Sequence, residues 1–499
     1  MSKYFSKSQY TRGKQCAKSL WLYRNQKELQ EQPDAMTQMI FDQGSAIGEL
    51  AQKRFPGGVL IEEDHLHPDE AVASTIKALS KGATIIYEAA AIHHGTLVRA
   101  DILVKNEDET WDLVEVKSST SVKDYHIDDM NIQRYVLEGA GYKIRNVFLL
   151  HINKEYKRNG EIDLEALFTL SDQTDKLNLI GINAEVESFL AIVEQKEAPD
   201  VGIGAHCFKP NSCDFKTNCC WKDVPKDSVF KIGGLRKNIA ESLWKRGHKR
   251  IVDVPAGEKM SVKQALQVQL TKDNQVHIAK DVIRQHLENL KYPLHFLDFE
   301  AVAPGVPPFD GLRPFQVLPF QASVHTLADP GADLEHRDFL ADPEKDPREP
   351  VARFLAPIIK SGTVIAYNAS YEGQCLKALA TVEAFESNML QIKESLWDLA
   401  APFRGGHYLS PAFNGSWSLK KILPVLVPSM TYQEMEIGQG GDAAAVYWDA
   451  MCGKLTGEER KKVFAALVKY CAQDTLAMVE IVRFLWEVTG MSKKETAGA

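Results

Sequence analysis

Four acidic residues in the second half of the chain are spaced as ligands of divalent metal ions would be. Asp298 and Glu300 lie two residues apart in an apolar segment, so both side chains project from one face of a strand. Glu372 follows a second apolar segment, and Asp474 lies in a helical one. Four such carboxylates can bind two Mg²⁺ or Mn²⁺ ions about 4 Å apart, which stabilise the attacking and leaving oxygens of phosphodiester hydrolysis. Tyr470, one helical turn before Asp474, is the candidate for orienting the attacking water.

A second set of charged residues lies in the first half of the chain. Asp101 belongs to the first of two alternating apolar–polar segments, and Glu115 and Lys117 share one face of the second. A divalent ion between Asp101 and Glu115 would compensate their charges, with Lys117 orienting or activating the attacking water. Gln133 and Tyr135, in the following helical segment, are candidates for holding a phosphate backbone or stacking on a base. The alternative is a solvent-facing strand edge with an ordinary Glu–Lys pair.

Cysteines form a third set. Cys207, Cys213, Cys219 and Cys220 lie within a short segment, and Cys16 lies near the N-terminus. In a reducing compartment such clustering favours metal ligation over disulfides, and thiolates select zinc or an iron–sulfur cluster. The spacing lacks the short Cys-x2-Cys pairs of zinc ribbons, and no histidine stands at zinc-finger spacing. Buried free thiols are the remaining interpretation.

The segments that must position these residues have recognisable periodicities. Apolar residues at helical spacing predict helices, and alternating or short apolar runs predict strands. The predicted helices span residues 10–23, 41–54 and 128–137, and residues 458–488 are predicted to form one or two more. The predicted strands span residues 96–104, 110–117, 146–152, 294–299 and 364–367, the first two as a hairpin. A chain of this kind belongs to the α/β class.

The N-terminal motifs resemble those of the PD-(D/E)xK nucleases. Asp101, Glu115-Val116-Lys117 and Gln133-Arg134-Tyr135 match the order and spacing of that superfamily, and the resemblance is closest to the RecB-like group that includes the CRISPR-associated iron–sulfur exonucleases. The resemblance implies a restriction-endonuclease-like fold with Mg²⁺ or Mn²⁺ at the acidic residues. Gly48 stands where that group often has a metal-binding histidine, and Glu49 is the candidate replacement.

The same resemblance extends to the cysteines. It implies that one early and three late cysteines hold a structural [4Fe–4S] cluster, and the residues that match are Cys16, Cys207, Cys213 and Cys219. Cys220 is the alternative fourth ligand, and zinc is the alternative metal.

The C-terminal motifs resemble those of the DnaQ-like 3′–5′ exonucleases with the DEDDy signature. Asp298 and Glu300 match the first motif, Asn368-x-x-Tyr371-Glu372 the second, and Tyr470-x3-Asp474 the third. The second motif normally ends in Asp, and Glu372 stands there instead. The resemblance implies an RNase H-like fold, a two-metal site, a nucleophile positioned by Tyr470 and a nucleic-acid contact at Asn368.

Residues 223–290 separate the two regions and are predicted to form a small helical connector. The segment faintly resembles a helix–hairpin–helix unit, whose backbone amides contact phosphates. Its positive patch consists of Lys245, Arg246, Lys249 and Arg250, and we take the last two as candidate nucleic-acid contacts. A solvated helix face that acts as a spacer is the alternative.

Composition and charge exclude several classes of protein. The 499 residues, 44% hydrophobic and 25% charged, are typical of two or three globular domains and exclude a collagen-like, disulfide-stapled or largely disordered chain. No run approaches the ~18 apolar residues of a membrane span, and residues 1–7 lack the apolar core of a secretory signal. We therefore expect a cytoplasmic protein without a membrane partner. With a net charge of −8, nucleic-acid binding must use local basic patches or metal ions.

These observations give an expected organisation and function. The resemblances cover nearly the whole chain, which is similar to an uncharacterised bacterial family that fuses a RecB-like iron–sulfur nuclease to a DnaQ-like exonuclease. The expected parts are a PD-(D/E)xK nuclease (1–222), the connector (223–290), a DnaQ-like exonuclease (291–490) and a flexible tail (491–499). The expected function is a metal-dependent two-site nuclease that trims DNA ends in repair, phage defence or spacer processing. The alternatives are a nucleic-acid-binding scaffold with one inactive site and an RNA exonuclease, because neither site distinguishes the 2′-hydroxyl in sequence.

Overall fold

The computed structural model describes residues 3–64, 66–432 and 435–491 and divides into two compact units. Unit 1 comprises Met1–Pro33, Ile40–Asp223 and Pro304–Phe315, and unit 2 comprises Asp34–Met39, Val224–Ala303 and Gln316–Ala499. Residues 224–290 of the expected connector therefore belong to unit 2. Residues 492–499 of the expected tail lie outside the described residues. Within those residues, each helix is too short or too polar to cross a membrane.

Unit 1 is built on a seven-stranded mixed sheet. Its strands are β1 (Phe5–Ser6), β2 (Val59–Leu60), β3 (Ile85–His93), β4 (Thr96–Lys105), β5 (Trp111–Lys117), β6 (Ile144–Ile152) and β7 (Phe168–Asp172). Its helices are α1 (Lys7–Gln15), α2 (Ala17–Asn25), α3 (Ala35–Arg54), α4 (Pro68–Ser80), α5 (Asp124–Gly139), α6 (Leu164–Leu167) and α7 (Ile182–Val193). The strand order is β2-β3-β4-β5-β6-β7, with β1 parallel to β4. The β4–β5 pair is antiparallel, which confirms the predicted hairpin, and β5 runs parallel to β6.

Alternating residues of β4 and β5 pack into two different cores. Leu103 and Leu113 join the cluster that contains Met130 of α5, whereas Ile102 and Val114 join the cluster that contains residues of α3. Successive side chains of a strand point to opposite faces, so a strand covered on both faces is apolar throughout. A charged residue in such a strand must therefore find its partners inside the protein.

The helix predicted over residues 10–23 is two helices, and Cys16 is the break. Its backbone is extended, with φ −164° and ψ 117°, and it ends α1 and precedes α2. The Cys16 N–H still donates to the Arg12 carbonyl at 2.8 Å, and its carbonyl accepts from Leu20 at 3.0 Å. Both helices bury apolar side chains, so the hydrophobic periodicity runs through the break and conceals it.

Unit 2 contains a five-stranded mixed sheet and a two-stranded one. Its strands are β8 (His277–Ile278), β9 (Leu294–Val302), β10 (Leu318–Leu327), β11 (Leu334–Leu340), β12 (Thr363–Ala366), β13 (Leu396–Asp398) and β14 (Tyr408–Leu409). Its helices are α8 (Lys237–Lys245), α9 (Val262–Asp273), α10 (Lys280–Glu288), α11 (Arg348–Leu355), α12 (Ala369–Leu379), α13 (Glu386–Glu394), α14 (Ala401–Arg404), α15 (Leu419–Leu426), α16 (Gly440–Met451) and α17 (Gly457–Thr489). The large sheet has the order β11-β10-β9-β12-β13, and β14 pairs with β8. The α/β class predicted from the sequence is confirmed by the two units.

Strand β9 is the centre of the large sheet and is buried on both faces. It pairs antiparallel with β10 and parallel with β12. Leu297 and Phe299 pack in one core, and Phe296 packs in the other, beside α17. Both faces of β9 therefore meet a core, because α17 covers the face that carries Asp298 and Glu300.

Helix α17 follows Thr456 and continues to Thr489 as one helix. Glu458 and Glu459 lie in its first turn, where carboxylates favour the positive end of the helix dipole. Gly490 ends it in the left-handed conformation, with φ +71°, as glycine commonly does at a helix C-terminus. Its length lets residues in its middle lie against β9 while both of its ends extend beyond that strand.

The approach of β12 to β9 depends on Gly362. A Cβ at this residue, whose φ is +88°, would lie 2.0 Å from the Pro293 carbonyl oxygen. Gly453 has a similar φ of +72°, but a Cβ there would meet nothing within 4 Å.

We expect Gly362→Ala to destabilise the protein more than Gly453→Ala. Gly453→Ala is the control, and its free energy of unfolding should fall only by the cost of a side chain in the left-handed conformation, about 1–2 kcal/mol. Gly362→Ala must in addition separate two backbone segments, so its thermal unfolding midpoint should be the lower of the two. Equal midpoints would contradict the close approach.

Candidate functional site

Three of the four carboxylates predicted in the second half of the chain lie together in unit 2. Asp298 and Glu300 come from β9 and Asp474 from α17, and one carboxylate oxygen of each lies within 4.8 Å of the others. We call these three residues the acidic cluster. Within the described ranges it is the one group of three Asp, Glu, His or Cys residues with this spacing. Glu300 and Asp474 are buried, and Asp298 is half-buried.

Burial makes the charges of the acidic cluster unfavourable. Burial raises the pKa of Asp298 well above its ordinary value, and the neighbouring Asp474 raises it further. Burial raises the pKa of Glu300 in the same way, with Asp298 and Asp474 adding to the effect. Buried carboxylates this close cannot all be ionised unless a cation compensates them. The cluster therefore either holds protons or binds a cation.

Glu372 lies in the first turn of α12 and is the fourth predicted carboxylate. Burial raises its pKa to about 9, and Asp298 adds to that rise. Its Oε2 atom is buried and has no hydrogen-bond partner within the described residues. A buried acceptor without a donor is unfavourable, and a metal ion bound beside Asp298 would satisfy it.

Lys420 and Tyr432 complete this site, and the sequence analysis did not single out either. Lys420 Nζ donates to the Tyr470 hydroxyl at 2.6 Å and to the Gly438 carbonyl at 2.7 Å. The Tyr432 hydroxyl donates to Asp474 Oδ1. Burial raises the pKa of Tyr470, and Asp474 adds to the rise, so the phenol stays protonated. Two adjacent lysines, Lys420 and Lys421, in the otherwise apolar helix α15 were the sequence signal for this contact.

Asn368 lies immediately before α12, one turn from Glu372. Its φ is +71°, a left-handed conformation that asparagine tolerates better than most residues. Its backbone N–H donates to Asp398 Oδ1 at 3.1 Å, and Asp398 Oδ2 accepts from Arg404 at 2.7 Å. The Asn368 side chain accepts from the Ser370 hydroxyl at 3.2 Å, so it is held beside the start of the helix.

Unit 1 brings Asp101, Glu115 and Lys117 together on the adjacent strands β4 and β5. Asp101 Oδ2 accepts from the Val116 N–H at 2.7 Å, and Lys117 Nζ lies 2.6 Å from Glu115 Oε1. Gln133 of α5 donates to Glu115 Oε2 at 2.6 Å. Both Glu115 and Gln133 are fully buried, so the alternative of a solvent-facing Glu–Lys pair is wrong. Helix α5 covers this face of the sheet.

The two carboxylates of unit 1 are shifted in opposite directions. Burial raises the pKa of Asp101 to about 8, and Glu115 adds to the rise. Burial also acts to raise the pKa of Glu115, but Lys117 and Lys7 outweigh it and lower that pKa. The pKa of Lys117 is raised, because Glu115 and Asp129 overcome the effect of its burial. Lys117 is therefore an ammonium ion that donates hydrogen bonds rather than a neutral base.

A cleft of about 660 Å³ opens beside this site in unit 1. Asp101 and Lys117 line it, together with Glu49, Gly48 and Glu88. A Cβ at Gly48 would meet nothing within 4 Å, so the space beside this residue is open. Glu88 has a φ of +57°, a conformation that costs energy for a side chain of its size and is typical of functional sites.

Tyr135 is not part of the unit 1 site. Its hydroxyl donates to Asn183 Oδ1 at 2.7 Å, and its ring lies edge-on to His93 with centroids 5.3 Å apart. Residues two apart on a helix point in different directions, so α5 cannot direct both Gln133 and Tyr135 to Glu115. Asp129, four residues before Gln133, is on the correct face and accepts from Lys117 at 2.5 Å.

The cysteines of unit 1 are free thiols that come close to one another. The Sγ atoms of Cys219 and Cys220 are 3.9 Å apart, and Cys213 Sγ lies 3.9 Å from the Ser19 hydroxyl. Burial raises the pKa of Cys16, with a smaller contribution from Cys207, and burial together with Cys219 raises that of Cys220 to about 12. In the described part of the chain, no three of the sulfurs lie within 4.8 Å of one another.

Polar contacts fix the Cys16 break against the segment that carries the other cysteines. Arg12 binds both carboxylate oxygens of Asp214, at 2.6 and 2.8 Å, and its guanidinium lies over the Phe215 ring at 5.4 Å. Gln15 donates to the carbonyls of His206 and Asn211 at 2.7 and 2.8 Å. A bidentate Arg–carboxylate pair fixes orientation as well as distance.

The two candidate basic contacts of the connector are engaged locally. Lys249 Nζ donates to the Trp244 carbonyl at 3.0 Å and lies 3.9 Å from the centroid of its ring. Arg250 Nη2 lies 2.8 Å from Asp227 Oδ2. A phosphate would compete with these partners, since both cations already have favourable contacts.

The chain is similar to a domain of unknown function and to two proteins described as uncharacterized. Residues 295–418 match the family model described as "Domain of unknown function (DUF2779)", a stretch that includes Asp298, Glu300, Asn368 and Glu372. An uncharacterized protein of Ureaplasma parvum serovar 3, UU173, is 24% identical over 247 residues, which cover 45% of this chain and 35% of that protein. An uncharacterized protein of Mycoplasma genitalium, MG366, is 24% identical over 218 residues, which cover 40% of this chain and 33% of that protein. The chain thus spans about a third of the length of these relatives.

We expect Glu372→Gln to change how stability depends on pH in the metal-free protein. The pKa of Glu372 is about 9 in the folded chain and lower in the unfolded chain. At pH values between the two, the folded chain keeps the proton and the unfolded chain loses it, so the free energy of unfolding falls as the pH rises. The amide cannot ionise, so the thermal unfolding midpoint should fall less between pH 6 and about pH 9 in the variant than in the wild type. Parallel profiles would contradict the burial of a protonated Glu372.

Proposed function

We propose that the chain is a metal-dependent nuclease with one site in each unit, acting on DNA. The observation that carries the proposal is the acidic cluster, whose three carboxylate oxygens lie within 4.8 Å of one another. The buried Oε2 of Glu372, which has no hydrogen-bond partner in the described residues, independently supports a cation site there. Carboxylates from a central strand and two helices are the ligand set that metal-dependent phosphodiester hydrolysis uses.

The topology of unit 2 supports a DnaQ-like, RNase H-like fold. Strands β9, β10 and β11 follow one another in the chain and pair antiparallel. Strands β12 and β13 lie on the other side of β9, where β12 pairs parallel with β9 and β13 pairs parallel with β12. The acidic pair Asp298 and Glu300 lies on β9, the central strand. In unit 1, the hairpin with Asp101 opposite Glu115 and Lys117 supports a PD-(D/E)xK fold. Together they support the fusion family that the motifs resemble.

Residues of unit 2 have distinct proposed roles in 3′–5′ exonuclease chemistry. Asp298, Glu300, Glu372 and Asp474 would hold Mg²⁺ or Mn²⁺, which when bound supplies charge stabilisation to the attacking and leaving oxygens. Tyr470 remains protonated and accepts from Lys420, so its own proton is available to orient a water or to bind Asp474. Asn368, at the start of α12, would contact the nucleic acid.

Residues of unit 1 would act at the cleft, with Asp101 and Lys117 in its wall and Glu115 buried beside them. Asp101 and Glu115 would hold the metal ion, and Lys117, as an ammonium ion, would orient the attacking water and stabilise developing negative charge. Glu88 and Glu49 line the same cleft and are further oxygen donors there. Gln133 holds Glu115 in place rather than contacting substrate, because it is fully buried.

A nucleic-acid-binding scaffold with an inactive unit 1 is the second candidate. The observation that favours it is the saturation of Glu115, whose oxygens accept from Lys7, Lys117 and Gln133. A metal ion would have to share these oxygens with the donors. DNA and RNA also remain to be distinguished, because no described contact selects for or against a 2′-hydroxyl.

We expect Lys117→Ala and Asp474→Ala each to remove a different set of products. The assay follows 5′- and 3′-labelled single-stranded DNA and RNA with Mn²⁺ and anaerobically purified protein. Lys105→Ala on β4 and Glu487→Ala on α17 are controls on elements of the two units, and they should cleave as the wild type does. Each active-site variant should lose the products of its own site, with a fall of at least about 100-fold.

Other outcomes decide between the candidates. If Asp474→Ala alone changes the products, unit 1 is inactive and the scaffold candidate is correct for that unit. If neither variant changes the products, or if none form with either nucleic acid, the nuclease proposal is wrong.

We also propose that Cys16, Cys207, Cys213 and Cys219 hold a structural [4Fe–4S] cluster, in a cytoplasm that keeps thiols reduced. A single zinc ion holds its thiolates at about 2.3 Å, and so requires sulfurs roughly 4 Å apart. Within the described residues no three of these sulfurs lie within 4.8 Å of one another, which is not the spacing of a single zinc site. In an iron–sulfur cluster the thiolates would bind separate iron ions. The Arg12–Asp214 pair supports a structural role, because it fixes the same two segments.

We expect anaerobically purified protein to contain iron and to absorb visible light as iron–sulfur proteins do. Cys213→Ser should lose both, since one thiolate is removed, whereas Cys452→Ser in unit 2 should keep them. Cys219→Ser and Cys220→Ser, compared in the same way, identify the fourth ligand. Zinc without iron in the wild type would contradict the cluster.

A further inference from the structure

Two residues outside every motif complete the charged core of unit 1. Lys7 is the first residue of α1, and Asp129 lies one turn before Gln133 on α5. Lys117 Nζ lies 2.6 Å from Glu115 Oε1 and 2.5 Å from Asp129 Oδ2. Lys7 Nζ lies 3.1 Å from Glu115 Oε1 and 3.5 Å from Asp129 Oδ1. These four residues, which we call the charge ring, alternate in sign around a closed circuit.

With all four groups ionised the charge ring is neutral, and the loss of any single member leaves a net charge. The Glu115 side chain is fully buried, and those of Asp129 and Lys7 are 11% and 20% exposed. Removing one member of a buried ion pair is strongly unfavourable, because the remaining charge has no solvent to compensate it. Without Lys7, two buried carboxylates would share Lys117 alone, and the three remaining groups could not keep their present places.

Lys7 acts from behind the site. Among the ring members, Lys117 lines the cleft, whereas Lys7, Glu115 and Asp129 do not. Lys7 is thus outside the lining of the cleft, and its ammonium acts on that space through Glu115, Asp129 and Lys117.

The position of Lys7 is set by the whole of α1. Ser6 caps the helix by accepting from the Gln9 N–H at 3.3 Å, immediately beside Lys7. At the other end, Arg12 and Gln15 bind the segment that carries Cys207 and Cys213. A short helix held at both ends delivers its first side chain to one place, which suits a positioning role.

We propose that Lys7 is a positioning residue of the unit 1 site, which holds Glu115 and Asp129 so that Lys117 stays at the wall of the cleft. This inference rests on the proposed nuclease function of unit 1. It assigns a role to a residue of the N-terminal helix that no motif includes.

The experiment compares single and double variants of the full-length protein. The background is Asp474→Ala, so that only unit 1 cleaves, and the substrate is labelled single-stranded DNA with Mn²⁺. The variants are Lys7→Met, Asp129→Asn, the two combined, and Lys7→Arg. The matched control is Lys14→Met, which lies on the same helix and pairs with Glu185 at 3.0 Å, outside the charge ring.

We expect Lys7→Met to lower kcat by about 10- to 100-fold and to change KM by less than about twofold, because misplaced catalytic groups lose turnover and a residue outside the cleft does not bind substrate. Lys7→Arg should retain most of kcat, and Lys14→Met all of it. The combined variant should lose less than the product of the two single losses, since Lys117 and Glu115 then form a neutral pair. Thermal unfolding of the metal-free variants should show the same non-additivity.

The opposite results have separate meanings. If the Asp474→Ala background does not cleave, the proposed function of unit 1 is wrong and the positioning role fails with it. If it cleaves and Lys7→Met keeps the wild-type kcat, the positioning role alone is wrong. Additive losses in both cleavage and unfolding would likewise overturn the charge ring as a coupled unit.

Discussion

The burial of like charges is the constraint on which both sites depend. A carboxylate removed from water must be protonated, paired with a cation or bound to a metal, because the interior does not solvate its charge. Each unit places carboxylates on a strand that is covered on both faces. Each therefore needs a compensating positive charge, and the two units obtain it differently.

Unit 1 supplies its own cations. Lys7 and Lys117 neutralise Glu115 and Asp129, which leaves Asp101 as the carboxyl group that takes a proton near neutral pH. In the described part of unit 2, Lys420 is the one cation that acts on the acidic cluster, and it donates to Tyr470 and a backbone carbonyl rather than to a carboxylate. Among the described residues, the deficit of positive charge is thus larger in unit 2, which is why its acidic cluster is the stronger candidate for a metal centre.

The paths of the strands and helices bring residues of short, separated motifs together in each site. In unit 1 the antiparallel hairpin places Asp101 against the strand that carries Glu115, and α5 adds Gln133 and Asp129 from above. In unit 2 a central strand presents two acids, and α17 and α12 deliver the others. Strands fix the spacing of two acids closely, whereas helices bring distant parts of the chain to the same point.

The sequence by itself determined the elements and most of the strand-borne residues. Period-two alternation predicted the hairpin, and the spacing of Asp298 with Glu300 and of Tyr470 with Asp474 predicted shared faces, because these are local properties of one strand or one helix. Only the tertiary structure decided which distant residues join them. Lys7, Asp129, Lys420 and Tyr432 reach the sites through the packing of separate elements, and the break at Cys16 and the exclusion of Tyr135 depend on how helices lie against the sheet. Local periodicity carries no information about such long-range contacts. The acidic residues could therefore be identified from the sequence, whereas their hydrogen-bond and ion-pair partners depend on the tertiary structure.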